Sequence, residues 1–311
     1  MKKVILDFDN TIGMGQKNVD DGLAFLFLMG REDIELMAVN SVFGNSSLDD
    51  TYSTTAEMLA DFKIKDKIKH LKGASEAGDY ETEAARYLAE AAAANKNEIT
   101  LIATGPLSNL YGAWKIDNDF FKNLNELIVR GGITERLKIG EKDYEEINFS
   151  SDPEAAAKVL KAKVPTALLS HNLCLAARFG SKSWQKVNRS KNNEIRAYIK
   201  DKITEHYEYI SDLIGLSGFY MSDVVAAVYM TSPEIFPYNK RKFVSTAEDL
   251  KKSWIKTENT KAKLLEPGVI NMPSTILDTM RFKDIAFSAW DNIKIVPDEY
   301  KNDGEKDKED E

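Results

Sequence analysis

Five continuous apolar, largely β-branched runs punctuate the first 170 residues of the chain: residues 4–9 (VILDFD), 34–44 (IELMAVNSVFG), 98–105 (EITLIATG), 125–132 (NELIVRGG) and 164–170 (VPTALLS). Runs of this length without polar alternation predict strands buried on both faces. Between them, apolar residues recur at helical spacing in residues 20–30 (DDGLAFLFLMG), 48–62, 81–95, 107–115 and 152–162. Residues 183–218 read as helical, and 222–230 (SDVVAAVYM) predict a further helix. The segment 242–258 follows neither period. Strand–helix alternation at this spacing predicts an α/β fold, a mostly parallel central sheet flanked by helices. No Pro/Gly-rich linker or internal repeat divides the chain, so residues 1–297 are expected to form a single α/β domain. Open parallel sheets bind ligands beyond the carboxyl ends of their strands. That rule directs attention to Asp7–Asp9, Gly44–Asn45, Thr104–Asn109 and the chain from Gly131 onward.

Four carboxylates fall between residues 4 and 22: Asp7 and Asp9 where the first strand ends, Asp20 and Asp21 where the first helix begins. Like charges this close repel, and a desolvated carboxylate is costly unless a cation or a proton offsets it. Asp20 also suits a helix N-cap, as do Asp223 and Asp152, the last preceding Pro153. Asn45 after Gly44 suits a turn. Asp7 and Asp9, at the end of an apolar strand, have no comparable structural use, and they point to a hard metal ion.

Composition narrows the chemistry. The single cysteine, Cys174, excludes an intrachain disulfide and a cysteine-rich metal centre, and three histidines give little support to a zinc site. The net charge is −8, of which −5 lies in the last fourteen residues, 298–311, a segment without apolar periodicity expected to be disordered. Positive charge is dispersed, so no nucleic-acid surface is expected, and no long apolar run suggests a membrane span. Acids at positions 7 and 9 interrupt the N-terminal apolar run too early for a signal peptide, so a cytoplasmic setting is expected.

Two families share features of the opening stretch. LDFDNTI resembles the first motif of haloacid dehalogenase-type phosphatases, which would make Asp7 a nucleophile, Asp9 an acid/base and Thr11 a helper beside magnesium, with Thr104 from a second motif. The late acidic pair of that superfamily is not found, and Asp20–Asp21 would go unexplained. LDFDNTIGMGQKNVDDGLAFLFL also resembles the strand–Asp-x-Asp-Pro-Gly-x-Asp-Asp–helix signature of nucleoside hydrolases, with the connection lengthened from three residues to ten. This second resemblance continues in order through VNSVFGNSSLDDTYSTTAEML, EITLIATGPLSNL, EINFSSDPEAAAKVL and MSDVVAAVYMTSPEIF, from residue 4 to residue 236.

The resemblance to nucleoside hydrolases implies a Rossmann-like fold and cleavage of the ribosyl–nitrogen bond of ribonucleosides with calcium as cofactor. It implies metal ligation by Asp9, Asp21, Asp223 and the Ser108 carbonyl, with Asp9 also the general base. Asp20, Asn45, Glu146 and Asn148 would bind the substrate, a small-molecule ribonucleoside, and Asp7 would support the loop. It further implies a homo-oligomer, dimer or tetramer. The chain departs from the family at Ser222, where many members carry a histidine that protonates the leaving base, and at Arg130, where the family usually carries methionine. Arg130 would pair with an acid such as Glu146 or bind an anionic group on the substrate. His171 and His206 fall outside the motifs and are expected to be structural, and Phe219 and Tyr220 are candidates for stacking on the base. A relative that binds nucleoside without cleaving it remains a third reading, favoured by the missing histidine.

Overall fold

In the computed structural model, residues 1–139, 142, 143, 145–188, 194–215 and 217–301 are described. Five strands and four helices alternate first: β1 (Lys2–Phe8), α1 (Asp20–Met29), β2 (Ile34–Ser41), α2 (Leu48–Asp61), β3 (Lys69–Lys72), α3 (Glu83–Ala94), β4 (Ile99–Ala103), α4 (Ser108–Ile116) and β5 (Glu126–Arg130). They join a nine-stranded sheet in the order Thr257–Asn259, Lys240–Phe243, Val269–Asn271, Thr166–Leu169, β5, β4, β1, β2, β3. Every pairing from Val269–Asn271 to β3 is parallel, and only Lys240–Phe243 runs antiparallel to its two neighbours. The expected α/β architecture is therefore present.

The strands are apolar throughout because both faces of the sheet are covered. Val4, Leu6 and Phe8 of β1 enter one core layer with α1, whereas Ile5 enters the opposite layer with residues of α3 and α4. Within the first layer α1 packs against Ser222–Thr231 and Thr279–Asp291. Residues 20–28 are all buried. A helix buried on all sides needs no polar face, which accounts for the unbroken LAFLFL. The Trp290 indole N–H closes this layer by donating to the Leu23 carbonyl at 3.0 Å.

The periodicity located all five expected strands and overlooked the other four of this sheet: Lys69–Lys72, Lys240–Phe243, Thr257–Asn259 and Val269–Asn271. All four are short, three or four residues, and those at or near the sheet's edges keep polar side chains facing solvent. Segment 242–258 has no single period because it contains a strand end, a short helix (Ala247–Leu250) capped reciprocally by Thr246 and Asp249, and another strand. The expected disorder from residue 298 is corrected at its start. Asp298–Tyr300 form a 3-10 turn, with Lys63 paired to Asp298 at 3.0 Å and the Tyr300 hydroxyl donating to Asp201 at 2.6 Å. Residues 302–311 lie outside the described residues. No described helix is long and apolar enough to cross a membrane.

Trp290→Ala should cost about 3–5 kcal/mol of unfolding free energy, because it removes a fully buried indole together with its hydrogen bond to the Leu23 carbonyl. Urea denaturation measures this directly. A loss under about 1 kcal/mol would show that Thr279–Asp291 is not integral to the core.

Candidate active site

The acidic residues gather where β1 ends and two helices begin. Asp7 is the penultimate residue of β1, Asp9 follows the strand, Asp20 and Asp21 open α1, and Asp223 lies in the first turn of Ser222–Thr231. Asp7 and Asp9 are fully inaccessible, and Asp20, Asp21 and Asp223 are 1–2% exposed. Carboxylate oxygens of Asp20, Asp21 and Asp223 lie within 4.8 Å of one another. Asp9 borders this group beside Asp21, and the charges of Asp20, Asp21 and Asp223 act on one another and on Asp9.

Helix geometry makes the crowding tolerable. Asp20 is not the N-cap of α1; that position is Val19, without a side-chain cap. Instead Asp20 Oδ2 accepts the backbone N–H of Asp223 at 3.2 Å, so the carboxylate of one helix start satisfies the other. Unpaired N–H groups at both starts favour negative charge. Asp152, by contrast, caps Pro153–Val159 as expected, accepting from Ala155 N at 3.0 Å and from the Ser108 hydroxyl at 2.6 Å.

Neutral donors hold the remaining oxygens. Asn45 N donates to Asp9 Oδ2 at 2.6 Å, while its side-chain amide donates to Asp21 Oδ2 at 3.0 Å and to the Asp9 carbonyl at 3.2 Å. Asn45 is thus more than a turn residue. The preceding Gly44 has φ +150°, and a Cβ there would sit 2.1 Å from Asp9 Oδ2, so only glycine lets this backbone approach the carboxylate. Thr104 at the end of β4 donates to Asp21 Oδ1 at 2.8 Å. Asp9 Oδ1 is buried and has no hydrogen-bond partner among the described residues.

Asp7 is held from behind, with Oδ2 accepting from Asn40 at 3.1 Å and Asn109 at 3.0 Å. With Asp7 buried behind the cluster and its Oδ2 committed to two amides, the phosphatase reading is not favoured. Its assigned helper Thr11 donates to the Asn18 carbonyl at 2.8 Å, inside the long connection. That connection is anchored at Asn45 by Asn18 (3.3 Å) and Lys17 (3.0 Å), and at Glu194–Ile214 by His206 Nδ1, which donates to the Gln16 carbonyl at 3.1 Å.

Beyond β5, Glu146 caps the short helix Ile147–Ser150, accepting from Asn148 N at 2.9 Å and Phe149 N at 3.2 Å. The Asn148 amide donates to the carbonyls of Thr104 and Arg130, tying the ends of β4 and β5 together. Arg130, the last residue of β5, is 3% exposed, and among the described residues its guanidinium faces three segments. Nε lies 3.1 Å from Asp223 Oδ1, Nη1 3.6 Å from Glu146 Oε1 and Nη2 3.4 Å from His171 Nδ1. The expected Arg130–Glu146 pairing is present, joined by a second acid the sequence did not indicate.

Burial is the main perturbation throughout. It pushes Asp9 up to about 8, with the Asp223 charge adding to it and the Asn45 amide and Arg130 opposing it. Asp21 and Asp223 are also raised well above the usual carboxylate range by burial and by their acidic neighbours. Burial and the Arg130 charge hold His171 well below the ordinary imidazole value. Desolvated, crowded carboxylates of this kind favour their neutral forms unless positive charge is added. Oxygen-only donors around concentrated negative charge suit a hard divalent cation.

Several participants lay outside the motifs. His171 and His206 are both buried next to site residues, and Asn40 and Asn109 serve Asp7. Polar residues ending apolar strands, such as Asn40 and Ser41, were the available clue. Phe219 is corrected as a base-stacking candidate: it lies in the core, stacked on Phe179 at 5.0 Å, while Tyr220 is half-buried.

A sequence model described as inosine-uridine preferring nucleoside hydrolase matches residues 4–266. Among curated relatives, Uridine nucleosidase 1 of Arabidopsis thaliana is 24% identical over 268 residues, covering 77% of this chain and 76% of that protein. Among solved structures, the plant nucleoside hydrolase PpNRh1 superposes with a TM-score of 0.80 at 19% identity, covering 93% of this chain and 98% of that one. A purine-preferring ribonucleoside hydrolase from Gardnerella vaginalis gives 0.80 at 17% identity, covering 94% and 99%.

Burial also pushes Asp7 up to about 7, against the Asn109 and Asn40 hydrogen bonds that lower it. The folded chain then holds a proton between about pH 4 and 7 that the unfolded chain has released, so stability falls as pH rises through that window. This one proton contributes a slope of up to about 1.4 kcal/mol per pH unit. Asp7→Asn should flatten the slope of urea-derived stability against pH over this range, and parallel profiles for both proteins would refute the assignment.

Proposed function

Because the chain belongs to the inosine-uridine preferring nucleoside hydrolase family, we propose that it hydrolyses the N-glycosidic bond of ribonucleosides to ribose and free base. The observation that carries this reading is the convergence of Asp9, Asp20, Asp21 and Asp223 in one buried cluster at the carboxyl end of β1. Hydrolysis at the anomeric carbon passes through an oxocarbenium-like ribosyl cation, which surrounding carboxylates stabilise.

Asp9, Asp21, Asp223 and the Ser108 carbonyl are the residues we assign to calcium, with Asp20 in the same carboxylate group directed to the ribose hydroxyls alongside Asn45, Glu146 and Asn148. Calcium bound there would supply the positive charge that acidifies a water and binds sugar hydroxyls. The chain's own contribution to proton transfer centres on Asp9. Its Oδ2 is fixed by the Asn45 amide, leaving Oδ1 to take the proton of the attacking water. The charge that seats in the cluster also opposes the burial that keeps Asp9 protonated, so ligand binding and base activation are linked. Asp7 positions Asn40 and Asn109 behind this constellation.

Release of reducing sugar from a ribonucleoside panel, with calcium and again with EDTA, tests the reading. Uridine comes first because the curated plant relative is named for it. Calcium-dependent ribose release is expected, with none of the phosphate release from p-nitrophenyl phosphate that a phosphatase would show. Nucleoside binding with no free base would instead support the non-catalytic reading. Asp9→Ala should lower kcat by about 10²–10⁴ with little change in fold, the range for loss of a general base. Near-wild-type turnover would eliminate Asp9 as the base. Asp223→Ala should weaken calcium binding by calorimetry, and an unchanged affinity would remove it from the ligand set.

A further inference from the structure

Arg130 puts a fixed positive charge inside a site whose chemistry calls for a mobile one. Its guanidinium is 3.1 Å from Asp223 and 3.6 Å from Glu146, and both acids are almost fully buried. No other Lys or Arg among the described residues is ion-paired with Asp9, Asp20, Asp21, Asp223 or Glu146. The guanidinium cannot diffuse away and does not lose its charge. The Arg130 backbone is fixed too, by the pairing of β5 with Thr166–Leu169 and by the Asn148 amide on its carbonyl.

We propose that Arg130 is the resident counter-ion of the carboxylate cluster, holding Asp223 in place without a metal and setting a weak affinity for divalent cations. This rests on the assignment of Asp223 as a metal ligand. Two consequences follow from charge and distance. A dication entering between Asp21 and Asp223 meets a guanidinium already on Asp223 Oδ1, so it finds a partly neutralised ligand and a like charge in contact with it. The cluster is also assembled before any cation arrives, because Arg130 ties Ser222–Thr231 to β5, to the Glu146 segment and to His171. An anionic substrate group is the less favoured partner for Arg130, since the two carboxylates beside it would repel an added anion.

Arg130 is accordingly a positioning residue, and metal affinity is the quantity a merely structural role would leave alone. Calcium titrations by calorimetry on the full chain, freed of metal beforehand, compare wild type with Arg130→Met and Arg130→Lys. Methionine keeps the apolar stem and removes the charge, whereas lysine keeps the charge. We expect Arg130→Met to bind calcium at least ten-fold more tightly, a change of about 1.4 kcal/mol, and Arg130→Lys to stay within about three-fold of wild type. Arg130→Met should also melt lower in EDTA and regain more on calcium addition than wild type does. If it does not fold without metal, the double variant Arg130→Met/Glu146→Gln, read against Glu146→Gln alone, carries the same comparison with one fewer buried acid. Equal or weaker calcium binding by the charge-deleted protein overturns the proposal, as does calcium binding by neither protein. The titrations need no turnover. Tightened binding without ribose release would leave this inference standing and remove the hydrolase reading, and ribose release with unchanged affinity would do the reverse.

Discussion

Buried negative charge is the constraint around which this molecule is arranged. Asp9, Asp20, Asp21, Asp223 and Glu146 are each at most 2% exposed and lie beyond the carboxyl ends of the strands. Removing even one carboxylate from water is expensive unless protons, hydrogen bonds or cations compensate. All three devices operate here. Burial raises Asp9, Asp21 and Asp223 toward their neutral forms, Asn45 and Thr104 donate to the oxygens, and Arg130 brings a permanent charge against Asp223. Crowded carboxylates favour positive charge, and Arg130 already answers part of that demand at Asp223.

The fold explains why those side chains meet. Parallel strands deliver their carboxyl ends to one side of the sheet, and the helices that follow begin there. Helix α1, α4 and Ser222–Thr231 all start beside the cluster, and their unpaired N–H groups supply partial positive charge. The contact between Asp223 N and Asp20 Oδ2 shows one helix start serving the acid of another. The apolar shell around α1, closed by Trp290, makes the platform stiff enough to hold acids that repel each other. Stability is thus concentrated in the layer behind the site and spent at its rim.

The long connection between Asp9 and Asp20 departs from the short Pro-Gly turn of the signature that this stretch resembles, yet its ends arrive at the same cluster. It does so through polar clasps rather than a tight turn: Thr11 to the Asn18 carbonyl, Asn18 to Asn45, and the Gln16 carbonyl to His206. Loop closure over ten residues is entropically inexpensive, so three such contacts suffice to fix it. Through His206 the helix Glu194–Ile214 reaches the site's edge, which gives a structural purpose to a histidine that no motif marked.

The pattern of apolar runs determined the parallel sheet, the five strands that carry the site, and the positions of Asp7, Asp9, Asp20, Asp21 and Asp223 at strand and helix ends, because burial on two faces and helix initiation are local properties written in nearest-neighbour composition. The short outer strands escaped notice because three or four half-exposed residues carry no period. Only the tertiary structure decided which acids lie together, that Asp7 is locked by Asn40 and Asn109, that Phe219 belongs to the core, and that Arg130 faces Asp223 as well as Glu146. Those contacts join residues up to 203 positions apart, as between Asp20 and Asp223, and such pairings depend on how β5, α1 and the later helices stack. Spacing along a chain can place a charge at the end of an element; the packing of that element against others decides what the charge meets.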